Sequence, residues 1–299
     1  MTMRSDDALT TGLTTRPTTG TTPTPTPTTD PTPAPATLRV LTQNLRYADP
    51  SVPPEHPDHW PSRAPVLAEL LRAADADVIG TQEVLAAQIP LLDEVLGATH
   101  LRLGIGREGG GRGEHNLLLL RRERFDLLDW DQFWLSEDPA RIGSQGWDGH
   151  CPRIAVWARV RDRWTGGELV FAVTHLDHAG ERAREKGAGL LAQRLREAAD
   201  GAPTLLMGDF NAAGGDSTPW RVLRDAGFAD AHDVAGTKVG EDIGTFPDYG
   251  APEVGGIRID WILTRGLAVQ EYEASVPRRQ GRAASDHATV TARVRPTGV

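Results

Sequence analysis

Thr204-Leu205-Leu206-Met207-Gly208-Asp209-Phe210-Asn211 is an apolar run closed by a carboxylate and an amide. A run this short and apolar reads as a buried strand, and a buried carboxylate at its end is costly unless something compensates it. In extended chain Asp209 and Asn211 would point to the same side. Gly-Asp-x-Asn is also ordinary turn chemistry, so the motif gains weight only from its company. Ile259-Asp260-Trp261 lies in a second apolar run, and Ser285-Asp286-His287 directly precedes a third. Upstream, Thr174-His175-Leu176-Asp177 ends a fourth, Gln82-Glu83 follows a fifth and Gln43-Asn44 ends a sixth. Six elements thus deliver a carboxylate, an amide or an imidazole to what reads as one edge of a sheet. Such a set suits hydrolysis with a hard cation and a general base.

The remaining sequence bounds this reading. Residues 1–36 are dominated by Thr, Pro, Gly, Ala and Asp. Pro removes donors and little there is apolar, so a disordered arm is expected over 1–36. Residues 37–299 are long enough for one catalytic domain with a sizeable core. A net charge of −9 weighs against a polynucleotide partner, whose backbone calls for a basic face. The clusters Arg121, Arg122, Arg124 and Arg278, Arg279, Arg282 read more readily as solvated surface than as such a face. The single cysteine, Cys151, excludes internal disulfides and a thiolate-rich metal site. No run approaches the roughly 20 apolar residues of a membrane span. Met1-Thr2-Met3-Arg4-Ser5-Asp6-Asp7 lacks the apolar segment of a secretory signal. A cytoplasmic monomer is expected, with secretion reopened if translation starts elsewhere.

Strands are expected at 38–44, 77–81, 101–103, 116–121, 154–160, 169–174, 204–207, 257–264, 268–274 and 289–294, and helices at 63–74, 85–96, 179–199 and 217–224. Strands outnumber helices, and hairpins mix with helical crossovers. An α/β fold of two packed, mainly antiparallel sheets with helices on their outer faces fits better than a doubly wound sheet. Gly104-Ile105-Gly106-Arg107-Glu108-Gly109 matches a dinucleotide fingerprint, but Gly110-Gly111-Arg112-Gly113 continues it as a loop and the required helix is missing.

Asp286-His287 sets an acid beside a candidate base, and Asp260 is available to hold the imidazole as in a hydrolytic triad. No nucleophilic Ser sits in an elbow motif, so His287 would activate water. Glu83 and Asn44 offer hard oxygen ligands in the sparse number that Mg²⁺ prefers. The absence of H-E-x-x-H leaves a zinc site without its spacing. Arg153 suits a bidentate phosphate contact and Trp147 a stacking wall, with a structural Arg and a buried Trp as the equal alternative.

In order, these motifs resemble the endonuclease/exonuclease/phosphatase superfamily with the deoxyribonuclease-I-like fold, from about Leu38 to Val294. The resemblance implies a four-layer α/β/β/α sandwich that hydrolyses phosphoesters with Mg²⁺ or Mn²⁺. It places Asn44 and Glu83 at the metal with Asp286 beside it, and His175 and Asn211 on the phosphate. Asp209 would position the attacking water or leaving group, and Asp260–His287 would be the base dyad. The segment from Phe133-Trp134-Leu135-Ser136 through Gly146-Trp147-Asp148 to Pro152-Arg153 is similar to a bacterial subgroup of metal-dependent hydrolases. Arg153, Trp147 and Asp177 are the expected substrate contacts. The catalytic Tyr that abasic-site endonucleases of the superfamily carry in mid-chain has no counterpart; Arg153 is the nearest polar candidate. The expected function is a metal-dependent phosphoesterase acting on a small phosphorylated substrate, a monoester or a diester. The alternatives are a nuclease, a lipid-headgroup phosphodiesterase, and an inactive binding module, the last disfavoured because every expected residue type is present.

Overall fold

The computed structural model describes residues 37–297; the arm expected over 1–36 lies outside the described residues. The chain runs β1 (Leu38–Asn44), α1 (Trp60–Ala74), β2 (Val78–Val84), α2 (Ile89–Leu96), β3 (His100–Leu103), β4 (His115–Arg121), β5 (Phe125–Trp134), β6 (Ile154–Asp162), β7 (Glu168–His175) and α3 (Glu181–Ala199). It continues through β8 (Thr204–Asp209), α4 (Thr218–Asp225), β9 (Ala229–Asp230), α5 (Ala231–Val234), β10 (Thr237–Val239), β11 (Asp260–Arg265), β12 (Leu267–Ser275), β13 (Arg278–Arg279), β14 (Arg282–Ala283) and β15 (Thr289–Pro296).

Seven strands form one sheet in the order β10-β12-β15-β1-β2-β4-β3, and six form another in the order β5-β6-β7-β8-β11-β9. Pairing is mainly antiparallel. Of the three parallel pairs, β1–β2 and β7–β8 are each bridged by a helix, whereas β10–β12 is connected through β11 of the other sheet. Between the sheets lie Val40, Val78, Leu118, Val156, Phe171, Val173, Met207, Ile262 and Val290. Alternate residues of the same strands face outward. Leu41, Ile79, Leu117 and Leu119 pack under Leu67, Leu71 and Leu92 of α1 and α2. Ala155, Ala172, Leu206 and Leu263 pack under Leu191, Leu195 and Leu223 of α3 and α4. Two apolar faces per sheet make four layers, α/β/β/α. Gly80 lets the sheets approach, since a Cβ there would stand 2.8 Å from Met207 Cγ.

Three sequence expectations need correction. β5 was not anticipated: it is an edge strand whose Leu127, Leu128 and Trp130 are exposed, so it lacks the inward alternation that betrays a strand. The hairpin reading does not extend from strand 116–121 to strand 154–160, because β4 and β6 lie in different sheets. The second helix begins at Ile89 rather than 85, with a proline in its first turn where the missing N–H costs nothing. No helix among the described residues is long and apolar enough to cross a membrane.

Candidate active site

The strand register places the motifs. His175 at the end of β7 sits opposite Asp209 on the parallel strand β8, and Asp209 sits opposite Asp260 on the antiparallel strand β11. The first sheet supplies Asn44 at the end of β1, Glu83 in β2, and Asp286-His287 just before β15. The polar groups therefore converge from the same end of two facing sheets, not from one sheet edge. A groove of about 550 Å³ beside α1, against Glu69, Tyr272 and Arg293, contains none of them. The chemistry, not the volume, locates the site.

Backbone irregularities aim these side chains. Thr81 pairs with Leu117 but Val84 with His115, so two residues of β2 face the single residue Asn116. Glu83 lies in this bulge with φ 60°, a left-handed conformation that a non-glycine residue adopts only when its surroundings impose it. Gly208 has φ 149°, and a Cβ there would fall 2.0 Å from the Thr174 carbonyl oxygen, so no other residue fits between β7 and Asp209. Asn211 has φ 48°: it reaches the site through a turn rather than by strand alternation. Below, Phe210 stacks on Trp261 with ring centroids 4.2 Å apart, fastening the Asp209 and Asp260 motifs to each other.

Asn44 is the hinge of the polar cluster. Its Nδ2 donates to Glu83 Oε1 at 2.9 Å and to Asp209 Oδ2 at 3.0 Å. His287 Nδ1 pairs with Asp260 Oδ2 at 2.9 Å, leaving Nε2 3.8 Å from Asp209 Oδ2. His175 Nε2 lies 3.4 Å from the same Asp209 oxygen and 2.9 Å from Asn211 Nδ2. All the sequence-derived catalytic residues, His175, Asp209, Asn211, Asp260 and His287, thus stand together, with Asn44 and Glu83 among them.

Burial and crowding set the protonation. Burial, then the charge of Asp260, raises the Asp209 carboxyl to about 7. Burial opposes a charge on His287, yet Asp260 and Asp209 outweigh it and hold the imidazole up at about 10. At His175 burial, with the charge of Arg153 adding to it, drives the pKa well below 6.5 and keeps the ring neutral. Burial and nearby Glu83 raise Asp286.

The donor set fits a hard dication. Glu83 is close enough to disfavour a charge on Asp286, and one ligand atom from each of Glu83, His175 and Asp209 lies within 4.8 Å of the other two. Oxygen donors of this kind suit Mg²⁺ or Mn²⁺. A dication there would also oppose the charge on His287 and lower its hold on a proton.

Of the expected substrate contacts, Arg153 and Asp177 sit beside this core. Arg153 immediately precedes β6; its Nη2 meets His178 Nδ1 at 3.0 Å and its Nε lies 3.6 Å from Asp177 Oδ2. Asp177 is engaged by the backbone N–H groups of His150, Ala179 and Gly180, so its side chain braces Arg153 and the neighbouring loop. Trp147 is half-buried with φ 52°, and Asp148 accepts from Ala183 N, which ties this loop to the start of α3.

Several contributors escaped sequence reading. Arg46 stands 3.1 Å from Asp58 and 3.8 Å from Asp286. Buried Arg63 gathers carbonyls from the loops on either side of it. Exposed Phe246 places its ring edge-on to His287 at 4.9 Å. Arg46 lies two residues past Asn44, the one hint available; the others follow from tertiary contacts across up to 221 positions of chain.

The Endonuclease/Exonuclease/phosphatase family model matches residues 41–287. The chain belongs to this family. Members are hydrolases acting on phosphoester bonds. An endonuclease/exonuclease/phosphatase from Bacteroides vulgatus is 30% identical, with a TM-score of 0.80 over 87% of this chain and 99% of its own. A Bacteroides thetaiotaomicron mannosyl-6-phosphatase is 31% identical, with a TM-score of 0.78 over 86% of this chain and 99% of its own. D. rerio TDP2 bound to a single-stranded DNA product has a TM-score of 0.65 at 18% identity over 87% of this chain and 99% of its own, which shows the fold alone. No curated protein sequence matches the chain significantly.

Proposed function

We propose that the protein is a divalent-cation-dependent phosphoesterase that hydrolyses a small phosphorylated substrate with a base-activated water. The observation that carries this is the convergence of Glu83, Asn44 and Asp209 with the Asp260–His287 pair at one end of the sandwich. Glu83, Asn44 and Asp286 would hold Mg²⁺ or Mn²⁺, which supplies charge stabilisation at the phosphoryl oxygens. Neutral His175 and the Asn211 amide bind and orient the phosphate. Asp209 aligns the water. Asp260 fixes Nδ1 of His287, so Nε2 is the atom that exchanges a proton with the water. Arg153, whose Nη2 also meets His178 Nδ1, grips a phosphoryl oxygen, and Trp147 walls the leaving group.

Small substrates are favoured over polymers. The arginine clusters that could follow a nucleic-acid backbone are occupied: Arg121 pairs with Asp75 and Asp77, Arg124 with Asp77 and Asp162, and Arg279 with Glu69. The similarity to a mannosyl-6-phosphatase points the same way. The deciding assay compares p-nitrophenyl phosphate with bis-p-nitrophenyl phosphate under Mg²⁺, Mn²⁺ and EDTA, followed by a panel of phosphorylated metabolites. Turnover that survives EDTA would reject the reading. Cleavage of polynucleotides with a steep salt dependence, faster than any small ester, would replace it with a nuclease.

A further inference from the structure

A second group of ligating side chains lies outside the catalytic cluster. His150 and Cys151 end the loop before β6, and Asp177 and His178 open the loop after β7. The two loops are stitched together by the His150 N–H, which donates to Asp177 Oδ2 at 2.9 Å. Cys151 Sγ is 4.0 Å from that same oxygen. One ligand atom from each of Cys151, Asp177 and His178 lies within 4.8 Å of the other two, and the His150 and His178 rings stand 5.3 Å apart. A small space of about 10 Å³ opens beside them, bordered by Gly149, Cys151, Arg153 and Asp177.

We propose that His150, Cys151, Asp177 and His178 bind a soft transition-metal dication such as Zn²⁺, and that its binding inhibits the enzyme by taking His178 from Arg153. Sulfur and imidazole donors select zinc-like ions over Mg²⁺, so this site and the oxygen-lined catalytic site discriminate by chemistry. Tetrahedral zinc, with bonds of about 2.0–2.3 Å, sets its ligand atoms about 3.5 Å apart. Cys151, Asp177 and His178 need at most about 1.3 Å of contraction to reach that, exposed His150 swings in as the fourth ligand, and His178 gives up its bond to Arg153 Nη2. His178 is already suited as a ligand, because burial and then the charge of Arg153 lower its pKa and keep it neutral. Cys151 is a thiol whose pKa burial raises, so binding must release its proton to solvent. Asp177 Oδ2 retains a lone pair after accepting from His150.

Arg153 links this site to catalysis. Its Nη2 bonds His178 Nδ1, and its charge helps burial keep His175 neutral. A dication at His178 repels the guanidinium and removes its hydrogen-bond partner at once. The inhibition therefore rests on the phosphoesterase reading above, whereas the binding does not.

Co²⁺ titration of the metal-free protein separates the two. One equivalent should produce the near-ultraviolet thiolate-to-cobalt absorption, and Zn²⁺ should bleach it. Cys151→Ser should remove that absorption and weaken Zn²⁺ binding at least about 10-fold. In Mg²⁺-driven turnover, micromolar Zn²⁺ should inhibit the wild type, with Cys151→Ser and His150→Gln resistant and uninhibited rates within about 2-fold of wild type. His150 is exposed, so His150→Gln carries the test if Cys151→Ser misfolds. No thiolate absorption at stoichiometric Co²⁺, or equal Zn²⁺ inhibition of wild type and both variants, overturns the proposal. A thiolate band in a protein with no phosphoesterase activity would instead reject the catalytic reading and keep the site.

Discussion

Replacing Arg63 by Met tests whether the candidate metal ligands are held in place by a side chain that never touches them. Arg63 lies in the first turn of α1 and is fully buried. Its Nη1 donates to the carbonyls of Leu45 at 2.8 Å and Ala284 at 3.0 Å, its Nη2 to Arg46 at 3.2 Å and Tyr47 at 3.4 Å, and its Nε to Asp58 at 3.0 Å. The carboxylate of Asp58 stands 3.2 Å from Nη2. One guanidinium thus joins the loop that follows Asn44 to the turn that precedes Asp286. Removing one partner of a buried ion pair costs about 3–5 kcal/mol. Each stranded carbonyl adds about 1–3 kcal/mol, partly offset as water enters. A net loss of about 4–6 kcal/mol is expected, which at roughly 2–4 °C per kcal/mol lowers Tm by about 10–20 °C. Urea unfolding and thermal scans measure it, with Arg63→Lys as a graded control that retains the charge and should recover about half. In the cold, the folded Met variant should need more Mg²⁺ for half-maximal turnover. A destabilisation below about 1 kcal/mol, or an unchanged Mg²⁺ requirement in the folded variant, would refute the reasoning.

Glu83→Gln should abolish hydrolysis and lower the metal-free Tm only modestly, because an amide oxygen still accepts from Tyr47 N, 3.2 Å from Glu83 Oε2, while the bond from Asn44 Nδ2 is lost; activity near wild type would remove Glu83 from the metal site. His287→Ala should lower kcat by roughly 10²–10⁴, and more than a tenth of wild-type turnover would assign the proton transfer elsewhere. Arg153→Lys keeps the charge and loses the fork, so kcat should fall with little change in stability, while Trp147→Ala should raise KM more for bulky leaving groups than for small ones. His100 supplies a pH test remote from the site. Burial lowers its pKa below 6.5 while Nε2 meets the Ala76 carbonyl at 3.0 Å, so the folded ring stays neutral where the unfolded one takes up a proton. Stability should therefore drop as pH falls from 6.5 towards the folded pKa, and His100→Asn should show a shallower decline between pH 7 and 5. An identical slope would mean that other groups carry the acid sensitivity.

The parts of the fold that sequence reading reached are those with inward alternation or long periodicity. β1, β2, β7, β8 and β15 announced themselves by apolar runs, and α3 by spaced leucines. β5 stayed hidden because an edge strand has one face in water, and its Asp126, Asp129 and Asp131 look like loop residues. At the site the residue types were visible, whereas the connections among them were not. Nothing in Gly208-Asp209 announces that Asn44 donates to Asp209 across 165 positions of chain. The sequence likewise marked Asp177 as a substrate contact, while its bonds to three backbone N–H groups are set by how the loops close. Local chemistry is written in neighbouring residues, but partnership between distant loops belongs to the packed state.

The cross-strand alignment of His175, Asp209 and Asp260 has an evolutionary consequence. Hydrogen-bonded strands stand about 4.8 Å apart whatever their side chains are. Three functional groups on consecutive rungs therefore inherit their separation from the backbone, as marks on a ruler do. Loops such as 104–114 and 143–152 are then at liberty to lengthen, shorten or change composition without altering that spacing. New substrates become reachable by editing the rim alone, and the reaction itself is inherited unchanged.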